Sequence, residues 1–240
     1  MKRLVIIPTF NESENIGVLI PRIFRHIPET SILIVDDGSP DGTAQIVKGL
    51  QKSYPALLLE EREKKSGLGS AYRFGFKWGL ERGFEELIEM DADMSHRVRD
   101  LAKMIERKES DSDIGLVIGS RWIKGGSTIN WPKRREFLSR AANLYVRILL
   151  GMGVNDSTAG FRIYSANLLK KIPLDSIKSE GYSFQIEMTR ATKAAGGKIV
   201  EVPITFRERE SGVSKMSGAI VREAMLLVTI WGLKRFLRLK

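Results

Sequence analysis

The chain of 240 residues contains no cysteine. A disulfide framework, thiolate metal ligation and a thiol nucleophile are therefore all excluded. Long apolar runs are also missing. The run in "MKRLVIIPTFNE" stops at Pro8, too short for a signal-peptide core, so a cytosolic location is expected. The longest charge-free run in the last segment, "AMLLVTIWGL", is ten residues, against the roughly 20 needed to cross a bilayer. Arg222 and Glu223 precede it and "KRFLRLK" follows it. It reads either as an amphipathic helix lying at a membrane interface or as a core-packing helix with a solvated tail. No internal repeat, low-complexity tract or linker divides the chain. One domain over 1–218 with an appended helix over 219–240 is the economical organisation.

What is present is ordinary in amount and uneven in placement. Hydrophobic residues make up 42% and charged residues 28%, as in a folded domain. The net charge is +10, yet residues 1–120 hold 17 basic and 20 acidic side chains while residues 121–240 hold 22 and 9. The first half resembles a neutral scaffold. The second half is suited to meet an anion: a nucleic acid, a phosphate-bearing substrate or an acidic membrane face.

The first half alternates apolar runs with 3.6-periodic segments. Strands are expected at 3–10, 31–39, 55–61, 84–93 and 113–121. Helices are expected after 12 (Ile16, Leu19, Ile20, Ile23 and Phe24 on one face), at 41–51, at 67–83 (Ala71, Phe74, Trp78 and Leu80 on one side) and near 98–109. Near-continuous apolar strands alternating with helices predict an α/β fold, a mostly parallel sheet covered on both faces. Ligands bind such sheets beyond the C-terminal strand ends, here "PTFNE", "VDDGS", "EMDADMS" and "IGSR". In the second half, helices are expected at 133–150, 182–196 and 219–240. A loop enters a strand over 154–164, a strand covers 198–206, and 207–218 is a polar loop.

The strand-end pair Asp91 and Asp93 has two readings. It can offer hard oxygen ligands to Mg²⁺ or Mn²⁺, or it can form a turn that starts the next helix. In "VDDGSPDGT", Asp37 can accept hydrogen bonds from a nucleobase or ribose, and Asp41 and Gly42 read as a strand–turn–helix connection. "KSGLGSAYRFG" matches neither the dinucleotide fingerprint nor the P-loop, so Gly67 and Gly69 are expected to shape a helix entry close to the sheet. His96 reads as a metal ligand or as a hydrogen-bonded histidine at a helix start. Trp131 reads as a surface for lipid or sugar or as a loop anchor.

Taken in order, "PTFNE", "VDDGSPDGT", "GLGSAY", "EMDADMSH", "GSRW", "NWPKRREFLSR", "STAGFRIY", "GYSFQIEM" and "ERESGVSKMS" resemble the dolichol-phosphate and polyprenol monophosphate mannose synthases. These are inverting GT-A glycosyltransferases of family 2. The resemblance runs from about 3 to 233. It implies a GT-A fold and transfer of mannose from GDP-mannose to a polyprenyl (dolichyl) phosphate, giving a β-linked product, with Mg²⁺ or Mn²⁺ as cofactor. It places Pro8, Phe10, Glu12, Val35 and Asp37 at the nucleotide. Asp91, Ala92 and Asp93 fall at the ribose and the metal-bound diphosphate. Ser95 stands where some relatives carry a metal-holding glutamine, and Phe10 where many carry tyrosine. Arg121, Arg135 and Ser139 hold the acceptor phosphate; Arg209 and Lys215 close on the donor diphosphate, which Arg121 also meets. Arg134 and Arg147 read as solvated surface charges.

The acceptor chemistry accounts for the basic half. A phosphate monoester has its second pKa near ~6 and is largely a dianion at neutral pH. It needs no general base, so Asp156 is expected to orient an arginine instead of removing a proton. The site must bring two anions together and stabilise the departing diphosphate. The expected setting is peripheral, on the cytoplasmic face of a membrane, with an anchoring subunit left open. Competing readings are a glucosyltransferase using UDP-glucose, a nucleic-acid-binding protein, against which the strand-end acids and the lack of a recognised motif argue, and a non-catalytic donor-binding module.

Overall fold

The structure, a computed structural model, describes residues 1–208 and 218–237, with side chains of the last helix from Arg222 onward. The first half runs β1 (Arg3–Thr9), α1 (Ser13–His26), β2 (Thr30–Asp36), α2 (Thr43–Gln51), β3 (Leu57–Glu61), α3 (Leu68–Glu81), β4 (Glu86–Glu89), α4 (Val98–Glu109) and β5 (Ile114–Ser120). The second half adds β6 (Ser127–Ile129), α5 (Lys133–Leu150), β7 (Arg162–Ser165), α6 (Ala166–Leu169), α7 (Gly181–Ala194), β8 (Lys198–Pro203), β9 (Thr205–Arg207) and α8 (Gly218–Phe236). The main sheet has seven strands in the order β3-β2-β1-β4-β7-β5-β8. Only β7 is antiparallel to its neighbours.

Burial on both faces explains the unbroken apolar strands. Leu4, Ile6, Leu33 and Val35 face Tyr72, Phe76 and Phe184 of α3 and α7. Val5, Ile7, Ile32 and Ile34 face Ile16, Leu19, Ile20 and Leu101 of α1 and α4. The buried side of α3 differs from the expected one. Ala71, Tyr72, Gly75, Phe76 and Gly79 are buried, while Phe74, Trp78 and Leu80 are half-buried. Close approach decides this. A Cβ on Gly75 would lie 2.5 Å from Ile6 Cγ2, and one on Gly79 would lie 2.7 Å from Leu87 Cδ2.

The expected strand 198–206 is two strands. It breaks at Ile204: β8 lies beside β5, and β9 leaves the sheet to pair in parallel with β6. This small ribbon brings Phe206 and Arg207 back over the strand ends, where the Arg207 N–H donates to the Ser95 carbonyl at 3.1 Å. Helix α8 packs on α5 and α7. Its Val228 is buried, the Tyr145 and Thr229 hydroxyls are hydrogen-bonded at 2.7 Å, and Arg190 lies 4.9 Å above the Trp231 ring. Among the described residues, no helix is long and apolar enough to cross a membrane.

Candidate active site

Each acid of "VDDGSPDGT" has its own structural partner. Asp36 ends β2 and accepts from Thr9 Oγ1 at 2.7 Å, and from the N–H and hydroxyl of Ser39 at 2.9 and 2.6 Å, closing the turn. Asp37 accepts from Arg62 Nε at 2.6 Å and from the Ser66 N–H at 3.1 Å. Asp41 accepts from the Ser13 N–H at 3.0 Å and the Thr43 hydroxyl at 2.6 Å, tying the starts of α1 and α2 together. Burial raises the pKa of its carboxyl, but these hydrogen bonds outweigh that and lower it to about 2.

The turn after β4 is built with local strain. Met94 sits at φ 61°, a left-handed conformation that costs on the order of 1 kcal/mol for a residue with a Cβ. It turns the chain so that Asp93 accepts from the Ser95 N–H at 3.1 Å. Nδ1 of His96 accepts from the Asp91 N–H at 3.2 Å, which places any ring proton of the neutral imidazole on Nε2. His96 is stacked on Phe161 at 4.5 Å. Burial lowers its pKa to about 4, with Arg121 lowering it further and Asp93 and Asp100 pulling the other way. His96 thus closes the turn as a neutral, hydrogen-bonded ring. The Tyr72 hydroxyl donates to Asp91 Oδ1 at 3.3 Å.

Asp91 and Asp93 open onto a cavity of ≈ 100 Å³ that Arg121, Arg135, Thr158, Tyr182 and Phe206 also line. Strand ends far apart in sequence therefore meet. Arg121 follows β5 and is nearly buried. Its N–H, Nε and Nη2 donate to Asp156 at 2.9, 2.7 and 2.7 Å. Asp156 is fully buried and held in turn by its own N–H on Glu201 at 3.0 Å. Burial works against the Arg121 charge, but Asp156 outweighs it, so the guanidinium pKa is raised. Arg135, on α5, lies 4.3 Å above the Trp131 ring and is ion-paired with Glu208. Trp131 packs edge-on against Phe206 at 5.4 Å. It anchors the loop and also faces the cavity.

Four of the lining residues, Trp131, Arg135, Thr158 and Tyr182, also line a second, apolar groove between α5, α7 and α8. Ser139, Leu138, Val146, Ile186 and Val228 complete much of that groove. The polar cavity and the apolar groove therefore meet at Arg135 and Tyr182.

The other residues marked from sequence lie elsewhere or differ in presentation. Phe10 lies at the end of β1, with Lys65 Nζ 4.5 Å above its ring. Glu12 caps α1 and accepts from Asn15 at 3.0 Å. Pro8, Phe10, Glu12 and Asp37 sit at the neighbouring ends of β1 and β2 and do not line the Asp91 cavity. Val35 is fully buried, so its side chain belongs to the core and presents no surface to a ligand. Ala92 is buried too. Ser95 is 1% exposed, and its hydroxyl has no hydrogen-bond partner among the described residues. Arg209 and Lys215 lie outside the described residues.

Sequence reasoning passed over Thr158, Tyr182, Phe206, Tyr72 and Arg162. Arg162 is fully buried and grips the carbonyls of Ala159 and Ser157 at 2.7 and 2.8 Å, which fixes the loop that carries Thr158 into the cavity. It pairs across the ladder with Glu89. Burial raises the Glu89 carboxyl to about 8, although Arg162 and a hydrogen bond from Gln185 pull it down. The glycine-rich "GLGSAY" does not approach the sheet at its entry. A Cβ on Gly69 would lie 2.7 Å from the Ser179 carbonyl, so the close neighbour is the segment before α7.

The profile of the family described as "Glycosyl transferase family 2" matches residues 4–173. The polyprenol monophosphomannose synthase of Mycolicibacterium smegmatis is 48% identical over 234 residues, covering 97% of this chain and 88% of that protein. The undecaprenyl-phosphate mannosyltransferase of Micrococcus luteus is 49% identical over 233 residues, covering 97% and 95%. Among solved structures, the glucosyl-3-phosphoglycerate synthase of Mycobacterium tuberculosis in complex with Mn²⁺ and UDP-glucose superposes with a TM-score of 0.69 at 18% identity, over 96% of this chain and 79% of that one. A mannosyltransferase of Pyrobaculum calidifontis in complex with GDP-Man and Mn²⁺ gives 0.60 at 18%, over 99% and 64%. These two likenesses establish the GT-A fold.

Proposed function

The chain belongs to glycosyl transferase family 2, and from that membership we propose that it transfers mannose from GDP-mannose to a polyprenyl phosphate with inversion at the sugar carbon. Relatives at 48% and 49% identity over nearly the whole chain, named for polyprenol and undecaprenyl-phosphate mannosyl transfer, support this substrate pair. One structural observation carries the reading: a cavity lined by two carboxylates and two arginines adjoins an apolar groove, the two sharing Trp131, Arg135, Thr158 and Tyr182. A lipid phosphate needs both, a cationic seat for its head and an apolar channel for its first prenyl units.

In this reading a phosphate oxygen of the acceptor attacks the anomeric carbon. The new bond joins that carbon to the acceptor oxygen, and the bond to the donor diphosphate breaks, releasing GDP. No proton moves, because the acceptor arrives as a dianion. Arg135 and Ser139 seat the acceptor phosphate. Arg121, whose Nε and Nη2 are held by Asp156, has Nη1 left for the substrate phosphates. Asp156 orients it and serves as no base. Pro8, Phe10, Glu12 and Asp37 lie on the nucleotide side, and Arg209 and Lys215 belong to the donor diphosphate.

The two carboxylates that line the cavity fit a divalent ion completed by diphosphate oxygens and water, and the buried hydroxyl of Ser95, two residues on from Asp93, has no hydrogen-bond partner among the described residues. Among the described residues no group of three or more His, Cys, Asp or Glu gathers, so the substrate must complete the shell. Bound Mg²⁺ or Mn²⁺ would neutralise the charge developing on the leaving diphosphate. Mn²⁺ in the two solved neighbours supports this cofactor.

Peripheral attachment to the cytoplasmic face of a membrane belongs to the same reading. Phe137, Leu144 and Ile148 of α5 and Leu226, Ile230, Leu233 and Phe236 of α8 are exposed. Each set follows one helical stripe, and Arg140, Arg147, Lys234 and Arg235 fringe them. That pattern suits acyl chains below and anionic headgroups beside. The test is a screen of GDP-mannose and UDP-glucose against polyprenyl phosphates, with and without EDTA. Mannosyl transfer that EDTA abolishes is expected. Turnover of UDP-glucose alone overturns the donor assignment.

A further inference from the structure

The N-terminus of α3 carries unsatisfied N–H groups and a positive end of the helix dipole, a natural seat for an anion. The anion it holds comes from the chain itself. Glu180 accepts from the Gly69 N–H at 2.7 Å with Oε2 and from the Ser70 N–H at 3.0 Å with Oε1. Arg73 adds a charged contact at 3.2 Å and also donates to the Ser179 carbonyl at 3.3 Å. Gly67 makes room for this carboxylate: a Cβ there would lie 2.4 Å from Oε2.

Glu180 is the N-cap of α7, and the helix begins at Gly181, which has φ 55°. The next residue is Tyr182, which lines both the polar cavity and the apolar groove and is hydrogen-bonded to Arg135. Gly75 and Gly79 press α3 against Ile6 and Leu87, so α3 keeps its place without Glu180. The entry of α7 turns at Gly181, and Glu180 ties it to α3 beside two other links, the Ser179 N–H donating to Glu187 at 3.3 Å and Phe184 stacked on Tyr72 at 6.1 Å.

We propose that Glu180 is a positioning residue for the acceptor: by docking on the α3 N-terminus it holds Tyr182 against Arg135, where the acceptor phosphate meets its lipid. This rests on the mannosyl-transfer reading above. The donor side does not depend on the same tether, because Asp91 is reached by Tyr72 from within α3.

The test is steady-state kinetics of Glu180→Ala with GDP-mannose and polyprenyl phosphate varied in turn. Losing a set of charge-assisted hydrogen bonds should raise the acceptor KM about tenfold, with the GDP-mannose KM unchanged. Tyr182→Phe should move the acceptor KM in the same direction. A purely structural cap would lower the yield of folded enzyme and leave both KM values alone. An unchanged acceptor KM in folded Glu180→Ala, or an equal rise in both KM values, overturns the proposal. If Glu180→Ala does not fold, Glu180→Gln is read by the same criteria. Wild-type enzyme that transfers no mannose would sink the functional reading instead, so the two failures are distinguishable.

Discussion

Replacing Asp156 by asparagine separates two roles for that residue by their magnitudes. Arg121 and Asp156 are 5% and 0% exposed, so neither charge is solvated. Three donors of Arg121 converge on the two oxygens of Asp156. Asparagine preserves the volume but leaves the guanidinium without a counter-charge and turns an N–H₂ toward N–H donors. Breaking a buried pair in this way costs about 3–5 kcal/mol. A domain of this size loses roughly 2–4 °C of Tm per kcal/mol, so the melting point should fall by about 6–20 °C. A general base would behave differently: kcat would collapse while Tm held. Thermal unfolding and transfer kinetics on the same preparation decide the matter. The double variant Arg121→Met, Asp156→Leu should melt above Asp156→Asn, because no charge is left stranded. A Tm within about 2 °C of wild type for Asp156→Asn, less than ~1 kcal/mol, would refute the account of the pair as desolvated.

Asp93→Ala should abolish transfer even in excess Mg²⁺; near-normal activity there removes the metal role. Arg135→Ala should raise the acceptor KM and leave the GDP-mannose KM unchanged. Glu208→Gln should lower the acceptor KM and sharpen inhibition by inorganic phosphate, because Glu208 holds the arginine that the acceptor phosphate would use; a higher acceptor KM would mean that Glu208 orients Arg135 instead. For Asp41, the folded-state pKa of about 2 lies below the ordinary 3.8, so its contribution to stability is present above pH ~4 and is lost as pH falls through about 2. Asp41→Asn should therefore be modestly less stable at pH 7 in denaturant unfolding, with the gap narrowing toward pH 3; a gap independent of pH contradicts that pKa.

The sheet was legible because its strands are apolar on both faces, and burial on both faces is what a covered parallel sheet requires. The crevice was legible for a related reason: strand ends in such a sheet converge, so "DAD" and "GSR" meet although they are far apart in sequence. Other features had no local signal. The strand order places β7 between β4 and β5, and only long-range pairing decides that. The break at Ile204 is imposed by β6, three residues with no pattern of their own. The buried face of α3 misled because hydrophobic periodicity ignores glycine, and here close approach rewards the smallest residue. Arg162 and Tyr182 were quoted within motifs yet passed over. A fully buried arginine looks no different in sequence from a surface one, and a tyrosine after a glycine gives no hint of two cavities meeting beside it.

The electrostatic division of the chain acquires a finer meaning once the partners are known. Four cationic or dipolar groups among the described residues near the site are held by internal carboxylates: Arg62 by Asp37, Arg121 by Asp156, Arg135 by Glu208, and the start of α3 by Glu180. Burial decides which of these associations can open. Asp156 is wholly desolvated, and releasing it would strand two charges at several kcal/mol each, so Arg121 is fixed in orientation whatever is bound. Arg135 and Glu208 are about a quarter exposed, at 27% and 26%. Water therefore screens both, and exchange of partners is far cheaper. A phosphate dianion carries twice the charge of a carboxylate and competes for the guanidinium with the stronger attraction. Of the two arginines at the crevice, the proposed reaction would thus use the buried one to aim and the partly exposed one to trade its partner, the division of labour that joining two anions demands.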